Sequence, residues 1–435
     1  MAPQKMQRVE DHGGPFSAEK SQNSSWRAVF GKGGLSVVFR QRTGHFMGTF
    51  WYPGHNTVPS GSLFAKGSNG GANHFSGEET LMSRIALVVG STGIVGQNLA
   101  ARLVAEGWTV YGLARRPRHD MAGVLPIAAD LLDLQNLKLA LKTLTPTHVF
   151  FCSWLRQETE EENCRVNSAM VRNVFEALPA PEKLEHAALI TGMKHYLGPF
   201  EAYASGEPPQ TPFREEMSRL PLANFYYDQE DVLYAAAEKY GFSWSVHRPH
   251  TIIGYAVGNA MNMGSTLAVY ATICRETGRP FVFPGSDVQW NSLTDLTDAR
   301  QLARQLLWAS TSEGGRNEAF NVVNGDVFRW KWLWPRLAAW FGLEAAPYPG
   351  HATSLEDILS QDGELWAQIS ETYGLAEGRM DRLVSAWHTD ADLGRPVECV
   401  TDLSKSRLAG FEGWQYTPDS FFDLFERLRA EKLIP

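Results

Sequence analysis

Three glycines, Gly90, Gly93 and Gly96, follow the apolar run Ile85–Val89 at G-x-x-G-x-x-G spacing. Behind them Val95, Leu99 and Leu103 recur every four residues as far as Gly107. The pattern predicts a buried strand, a tight turn and a helix that stops at Gly107. Such a turn lets the backbone approach a pyrophosphate, whose charge then rests on the helix N-terminus. Gly90, Thr92, Gly93, Ile94 and Gly96 are therefore candidate dinucleotide contacts. A second strand, Thr109–Leu113, runs into Ala114-Arg115-Arg116-Pro117. A site for NAD usually ends this strand with a carboxylate that accepts from the ribose 2′-hydroxyl. Arg115 and Arg116 stand there instead, and two guanidiniums favour a 2′-phosphate. The expected cofactor is NADPH. Asp130 closes a third strand, Pro126–Ala129, and suits either an adenine contact or a cap for the segment after it.

A fourth strand, Thr147–Phe151, carries Cys152, Ser153 and Trp154 at its carboxyl end. Ligands of open α/β sheets bind there, so Ser153 and Trp154 are candidate cofactor contacts. A chain of this length and pattern suggests an extended short-chain dehydrogenase/reductase. Those enzymes normally carry Y-x-x-x-K, in which Lys tunes the phenol that exchanges a proton with substrate oxygen. None of the 13 tyrosines here has a lysine four residues on. Tyr226 meets Glu230, and Tyr227 meets Asp231. Either the chemistry is lost, or Tyr and Lys come from separate segments. Thr191-Gly192-Met193-Lys194-His195-Tyr196-Leu197-Gly198-Pro199-Phe200 follows a strand end, and Asn224-Phe225-Tyr226-Tyr227-Asp228-Gln229-Glu230-Asp231 opens a helix.

These stretches resemble the progesterone 5β-reductase/iridoid synthase-like enone reductases, the PRISE family. The resemblance lies in Gly90–Gly96, Ala114–Pro117, Thr147–Trp154, Glu160–Val174, the T-G-x-K-H-Y segment, N-F-Y-Y-x-x-E-D and Ser245–Pro249. It covers residues 82–435 and is strongest over 85–300. It implies NADPH-dependent reduction of the C=C bond of an α,β-unsaturated carbonyl, with hydride delivered to the β-carbon. The family's catalytic tyrosine is the first of the Y-Y pair, which maps to Tyr226, and its catalytic lysine maps to Lys194. Tyr226 would donate to the developing enolate. Lys194 would bias that phenol and hold the nicotinamide ribose. Tyr227 stays open as an alternative. His195, Tyr196 and Phe200 are candidate pocket residues. Plant members carry bulky aromatics late in the chain, whereas Trp387-His388-Thr389-Asp390-Ala391-Asp392 is more polar. A steroid or terpenoid substrate is therefore not carried over. Two other readings stand beside this one: a carbonyl reductase or epimerase-like enzyme, and a catalytically silent NADPH-binding sensor or partner protein.

The elements that must position these residues follow from periodicity. Strands alternate with helices over 85–250, including a helix through Val166, Met170, Val174 and Leu178 and strands at Ala187–Ile190 and Trp244–His247. This predicts a Rossmann-type, doubly wound parallel sheet spanning 82–250. Residues 251–435 are expected to form a smaller, mostly helical, substrate-binding part. A helix is predicted near Asn259–Thr272, short strands at Phe281–Pro284 and Ala319–Val323, and core packing around Trp330, Trp332, Trp334 and Trp340. Residues 1–81 hold 13 of the 39 glycines and show apolar clustering only at Ala28–Phe30 and Leu35–Phe39. They read as a loose extension, either a native tail or sequence upstream of a start at Met82. The net charge of −8 argues against a nucleic-acid or anionic-membrane surface. The four cysteines form no C-x-x-C, no H-E-x-x-H occurs, and no apolar run approaches a membrane span. The expectation is a cytoplasmic enzyme with a small-molecule enone substrate, no metal, no nucleic-acid or membrane partner, and room for a homodimer.

Overall fold

The computed structural model describes residues 84–199, 210–258 and 261–435, with the backbone of four strands nearer the N-terminus. Those four, β1 (Ser17–Glu19), β2 (Ser24–Gly31), β3 (Gly34–Gln41) and β4 (Gly44–Phe46), pair antiparallel in sequence order within a unit of their own, Met1–Glu79. The apolar stretches 28–30 and 35–39 lie in paired neighbouring strands.

The second unit, Thr80–Pro435, carries the nucleotide fold. Its strands are β5 (Ile85–Val89), β6 (Thr109–Ala114), β7 (Val124–Ala128), β8 (His148–Phe151), β9 (His186–Ile190), β10 (Ser243–Pro249), the short β11 (Ile252–Ile253) and β12 (Thr297–Asp298), and β13 (Glu318–Val322). Seven of them form one parallel sheet in the order β13-β10-β9-β8-β5-β6-β7. The reversal of direction at β5 is the topological switch point where such sheets bind ligands.

The helices of the first half are α1 (Ile94–Ala105), α2 (Leu134–Leu141), α3 (Glu160–Ala177), α4 (Lys194–Leu197) and α5 (Phe225–Tyr240). Then come α6 (Met263–Thr277), α7 (Asp287–Asn291), α8 (Ala299–Thr311), α9 (Trp330–Trp340) and α10 (Leu355–Leu359). The last four are α11 (Gly363–Tyr373), α12 (Ala386–Leu393), α13 (Ser404–Leu408) and α14 (Thr417–Ala430). Side chains of a strand alternate between faces, and β5 shows what that does here. Leu87 and Val89 join the core under α2, α3 and α5, while Ala86 and Val88 join the core under α1 and α8. Both faces of the sheet are covered, which is why β5 reads as a continuous apolar run. α1 ends near Gly107, which takes φ +78°.

Three expectations change. The sheet does not end at residue 250: β13 pairs with β10, and α8 covers one face, so both come from beyond the expected boundary. Phe281–Pro284 forms no strand, and Phe281 makes only an isolated bridge to Ala345. Its ring instead stacks on Trp334, 4.2 Å between centroids. The third strand begins two residues before Pro126, at Val124. The helical part has a core of its own, in which Trp330, Trp334, Trp366, Phe421 and Phe425 are fully buried. Trp332 and Trp340 pack partly buried against it.

Candidate active site

The turn after β5 is built from close backbone contacts. Gly90 has φ +83°, and a Cβ there would lie 3.0 Å from the Cys152 carbonyl oxygen. A Cβ on Gly96 would lie 2.3 Å from the Gly90 carbonyl oxygen, so only glycine lets α1 start this close to the strand. Gly93 is the N-cap of α1 and offers no side chain to the first amides. Those amides are free to meet an anion. The turn opens on a cleft of about 1710 Å³ at the carboxyl ends of the strands. Gly90, Thr92, Gly93, Arg115, Arg116, Asp130, Ser153 and Trp154 all line it. Arg115 and Arg116 are exposed, and neither guanidinium makes a hydrogen bond or ion pair with the described residues. Arg118 lines the cleft as well, but it is held by Asp120 at 2.7 and 2.9 Å and donates to Gln97 Oε1 at 3.1 Å. The two open guanidiniums, the uncapped helix and the glycine cradle fit a phosphorylated dinucleotide.

The Lys194 and Tyr226 segments meet where α4 and α5 begin, and neither residue is among those lining that cleft. Asn224 caps α5 by accepting from the Tyr226 amide at 3.1 Å, and its Nδ2 donates to the Lys194 carbonyl at 2.7 Å. Glu160, at the start of α3, accepts from the Phe225 amide at 2.9 Å. A carboxylate there also suits the positive end of α5. Tyr227 donates to the His195 carbonyl at 2.8 Å and accepts from the Leu220 amide at 2.9 Å. Its hydroxyl is committed to backbone. The Tyr226 hydroxyl makes no hydrogen bond with the described residues, and it rests against Gly192, where a Cβ would come within 3.2 Å of it. Lys194 is buried, with Nζ 4.9 Å from the centre of the Phe225 ring and 5.8 Å from that of Trp154. Trp154 stacks on Phe225 at 5.3 Å, so the lysine is joined to the cleft wall through two aromatic rings. Burial, then the charges of Glu160 and Asp392, raise the Tyr226 phenol above its ordinary value of 10.0. The hydroxyl is therefore a neutral donor at physiological pH.

Comparison with known proteins identifies the family and the fold. The model of the PRISE-like Rossmann-fold domain matches residues 132–435. This chain belongs to the PRISE family. An (S)-8-oxocitronellyl enol synthase from Camptotheca acuminata is 40% identical over 365 residues, covering 81% of this chain and 93% of that protein. A 3-oxo-Δ(4,5)-steroid 5β-reductase from Arabidopsis thaliana is 38% identical over 364 residues, with 81% and 93% covered. Among solved structures, Bordetella bronchiseptica WbmG in complex with NAD and UDP superposes with a TM-score of 0.56 at 17% identity, covering 81% of this chain and 96% of that one. A UDP-glucose 4-epimerase from Thermotoga maritima superposes with a TM-score of 0.56 at 14% identity, covering 80% and 99%. Those two structures speak for the fold alone.

Within this PRISE protein the remaining candidates are placed as follows. Ile94 begins α1 and packs into the core beneath it. Asp130 accepts from the Leu132 amide at 2.9 Å, whereas the cap of α2 is Asp133, which accepts from Asn136 at 3.0 Å. His195 and Tyr196 are buried and do not line the cleft. The Tyr196 hydroxyl donates to Asn321 Oδ1 at 2.6 Å, its ring stacks on Phe213 at 5.0 Å, and burial pushes its phenol up to about 12. His195 Nε2 lies 3.2 Å from the Met217 carbonyl, and burial lowers its imidazole to about 4. Both pack behind α4 through these contacts. Phe200 lies outside the described residues. Sequence reasoning missed Glu160 and Asn224 as positioning residues. Asn224 was visible as an N-cap signal before an aromatic run; Glu160 stands in the acidic run Glu158–Glu162, where nothing local points to Phe225. No helix among the described residues is long and apolar enough to cross a membrane.

Proposed function

We propose that this protein is an NADPH-dependent enone reductase, in which Tyr226 and Lys194 serve conjugate addition of hydride to a small α,β-unsaturated carbonyl compound. The observation that carries the assignment of roles is the contrast between neighbours: Tyr227 spends its hydroxyl on two backbone groups, and Tyr226 keeps its own for a ligand. The relatives named for an enol synthase and a steroid 5β-reductase support the reaction class.

NADPH, when bound, supplies the hydride. Its pyrophosphate would lie at the open N-terminus of α1, and its 2′-phosphate between Arg115 and Arg116. The neutral Tyr226 hydroxyl donates to the substrate's carbonyl oxygen. When the β-carbon accepts the hydride, the C=C electron pair moves toward that oxygen, and the donor is already in place where charge develops. Lys194, buried against Phe225 and Trp154, would add positive potential near the phenol and hold the nicotinamide ribose. The α-carbon takes its proton from solvent. One enone, one NADPH and one proton give one saturated carbonyl and NADP⁺. NADPH oxidation with a panel of small enones and saturated ketones, followed by product identification, tests this. Saturated carbonyl products from the enones are expected; alcohols from the ketones would contradict it.

A further inference from the structure

The cleft is rich in arginine, and its arginines divide by what already holds them. Arg118 is neutralised by Asp120, and Arg382 pairs with Glu377 at 3.0 Å. Arg115 and Arg116 stand at the end of β6, on the side where a cofactor 2′-phosphate would lie. Arg156 belongs to neither group. It is exposed, lines the same cleft, and has no acidic partner among the described residues. Its guanidinium lies over the Trp387 ring, 4.3 Å from the centroid. A guanidinium stacked in this way keeps its N–H fork free for a planar anion.

Packing links Arg156 toward the α4–α5 junction through Trp154 and Trp387. It follows Trp154 by two residues, and Trp154 stacks on Phe225 below Lys194. Asn163 and Asn167 of α3 fix the intervening loop, accepting from the Gln157 amide at 2.7 Å and the Leu155 amide at 2.8 Å. Trp387 lies in the first turn of α12, next to His388, whose Nε2 is 3.5 Å from Asp392 Oδ2. Asp392 is itself engaged by Thr251 at 2.6 Å and lies beside Arg395, so it does not neutralise Arg156.

We infer that Arg156 receives a carboxylate carried by the substrate on the chain beyond its C=C bond, making this a reductase of anionic enones. The inference rests on the reading of Tyr226 and Lys194 given above, and it names the substrate class. Trp387 supplies an apolar wall for the carbon chain, and Arg156 closes its far end with a forked, charge-assisted contact.

The test uses the full chain saturated with NADPH and two keto acids of different reach, (E)-6-oxohept-4-enoate and (E)-8-oxonon-6-enoate, each beside its carboxamide. For at least one pair, kcat/KM is expected to favour the acid by about tenfold or more, mainly through KM. The ratio shrinks as ionic strength rises from about 0.01 M to about 1 M, because the contact sits on an open cleft. Arg156→Gln brings the acid-to-amide ratio to about one, and Arg156→Lys retains part of it, a point charge replacing a fork. Reduction of the amides with no preference for either acid overturns the inference and leaves the enone-reductase reading standing. So does an Arg156→Gln protein that keeps the preference but binds NADPH more weakly by titration, since the arginine would then serve the cofactor. No C=C reduction of acid or amide overturns both.

Discussion

The Gly90–Gly96 turn and the α4–α5 junction sit on the same sheet, yet they are held in opposite ways. The turn is local. Its glycines contact one another and the adjacent strand end, and the arginines that complete it follow the next strand directly. The junction is assembled from distant pieces: Glu160 reaches Phe225, Asn224 reaches Lys194, and Tyr227 reaches His195. In the function proposed above, the first region would bind through backbone geometry, and the second would do chemistry through side chains whose positions depend on those clamps. With these roles, the separation would let the reductase dispense with Y-x-x-x-K. The lysine sits at the start of α4 and the tyrosine at the start of α5, and Asn224 ties the two starts together.

The largest effect expected is at the junction. Tyr226→Phe removes only the free hydroxyl and should lower turnover 10²–10³-fold, roughly 2.7–4 kcal/mol, as for loss of an oxyanion donor. NADPH affinity, measured by titration, should stay near its original value. Comparable loss of affinity would mean that the two regions are not separable.

Changes to the clamps should move stability first. Asn224→Ala removes the cap of α5 and the bond to the Lys194 carbonyl, and should cost about 1–3 kcal/mol in denaturant unfolding, with a fall in turnover as Lys194 and Tyr226 lose register. Tyr227→Phe deletes two hydrogen bonds to backbone and should cost about 1–2 kcal/mol. Its turnover should fall far less than that of Tyr226→Phe. If Tyr227→Phe is the more damaging to kcat, the roles of the pair are reversed.

At the cofactor end the effect is smaller. The protein should prefer NADPH to NADH by about tenfold or more, near 1.4 kcal/mol. Arg115→Ala combined with Arg116→Ala should erase the preference without altering the fate of the hydride. Equal affinity in the unmutated protein would remove the arginines from the account.

The smallest effect is a pH profile. The phenol is raised above 10.0 by burial, Glu160 and Asp392, so its active, protonated form persists through the pH at which an ordinary tyrosine ionises. Turnover with saturating NADPH should show no fall from Tyr226 ionisation below about pH 10. Glu160→Gln removes one raising charge and should move any alkaline fall to lower pH. A fall already present near neutrality would argue that the phenol is not the donor.

Much of the cofactor region was legible because its signals are short-range. Strand, glycine spacing, helix period and paired arginines all occur within residues 85–116, and each has one physical meaning in that context. The last strand, β13, was not assigned to the main sheet, because a short apolar stretch does not reveal which neighbour it will pair with. Phe281–Pro284 had strand-like composition, but aromatic packing against Trp334 used its side chains instead. At the junction, Lys194 and Tyr226 became candidates by resemblance; periodicity alone could not choose between Tyr226 and Tyr227. Their difference lies in Leu220 and His195, which no local pattern links to the helix start. His195 and Tyr196 illustrate the reverse: motif residues beside the lysine that fold inward because Asn321 and Phe213 are there to receive Tyr196.

The central claim is that the substrate oxygen is held one conjugated unit away from the carbon that takes the hydride. Stereospecifically C4-deuterated NADPH, with deuterium in the transferred position, and a simple enone test it directly. The account predicts deuterium on the β-carbon of a saturated ketone. Deuterium on the carbinol carbon of an allylic alcohol would contradict it and make this protein a carbonyl reductase.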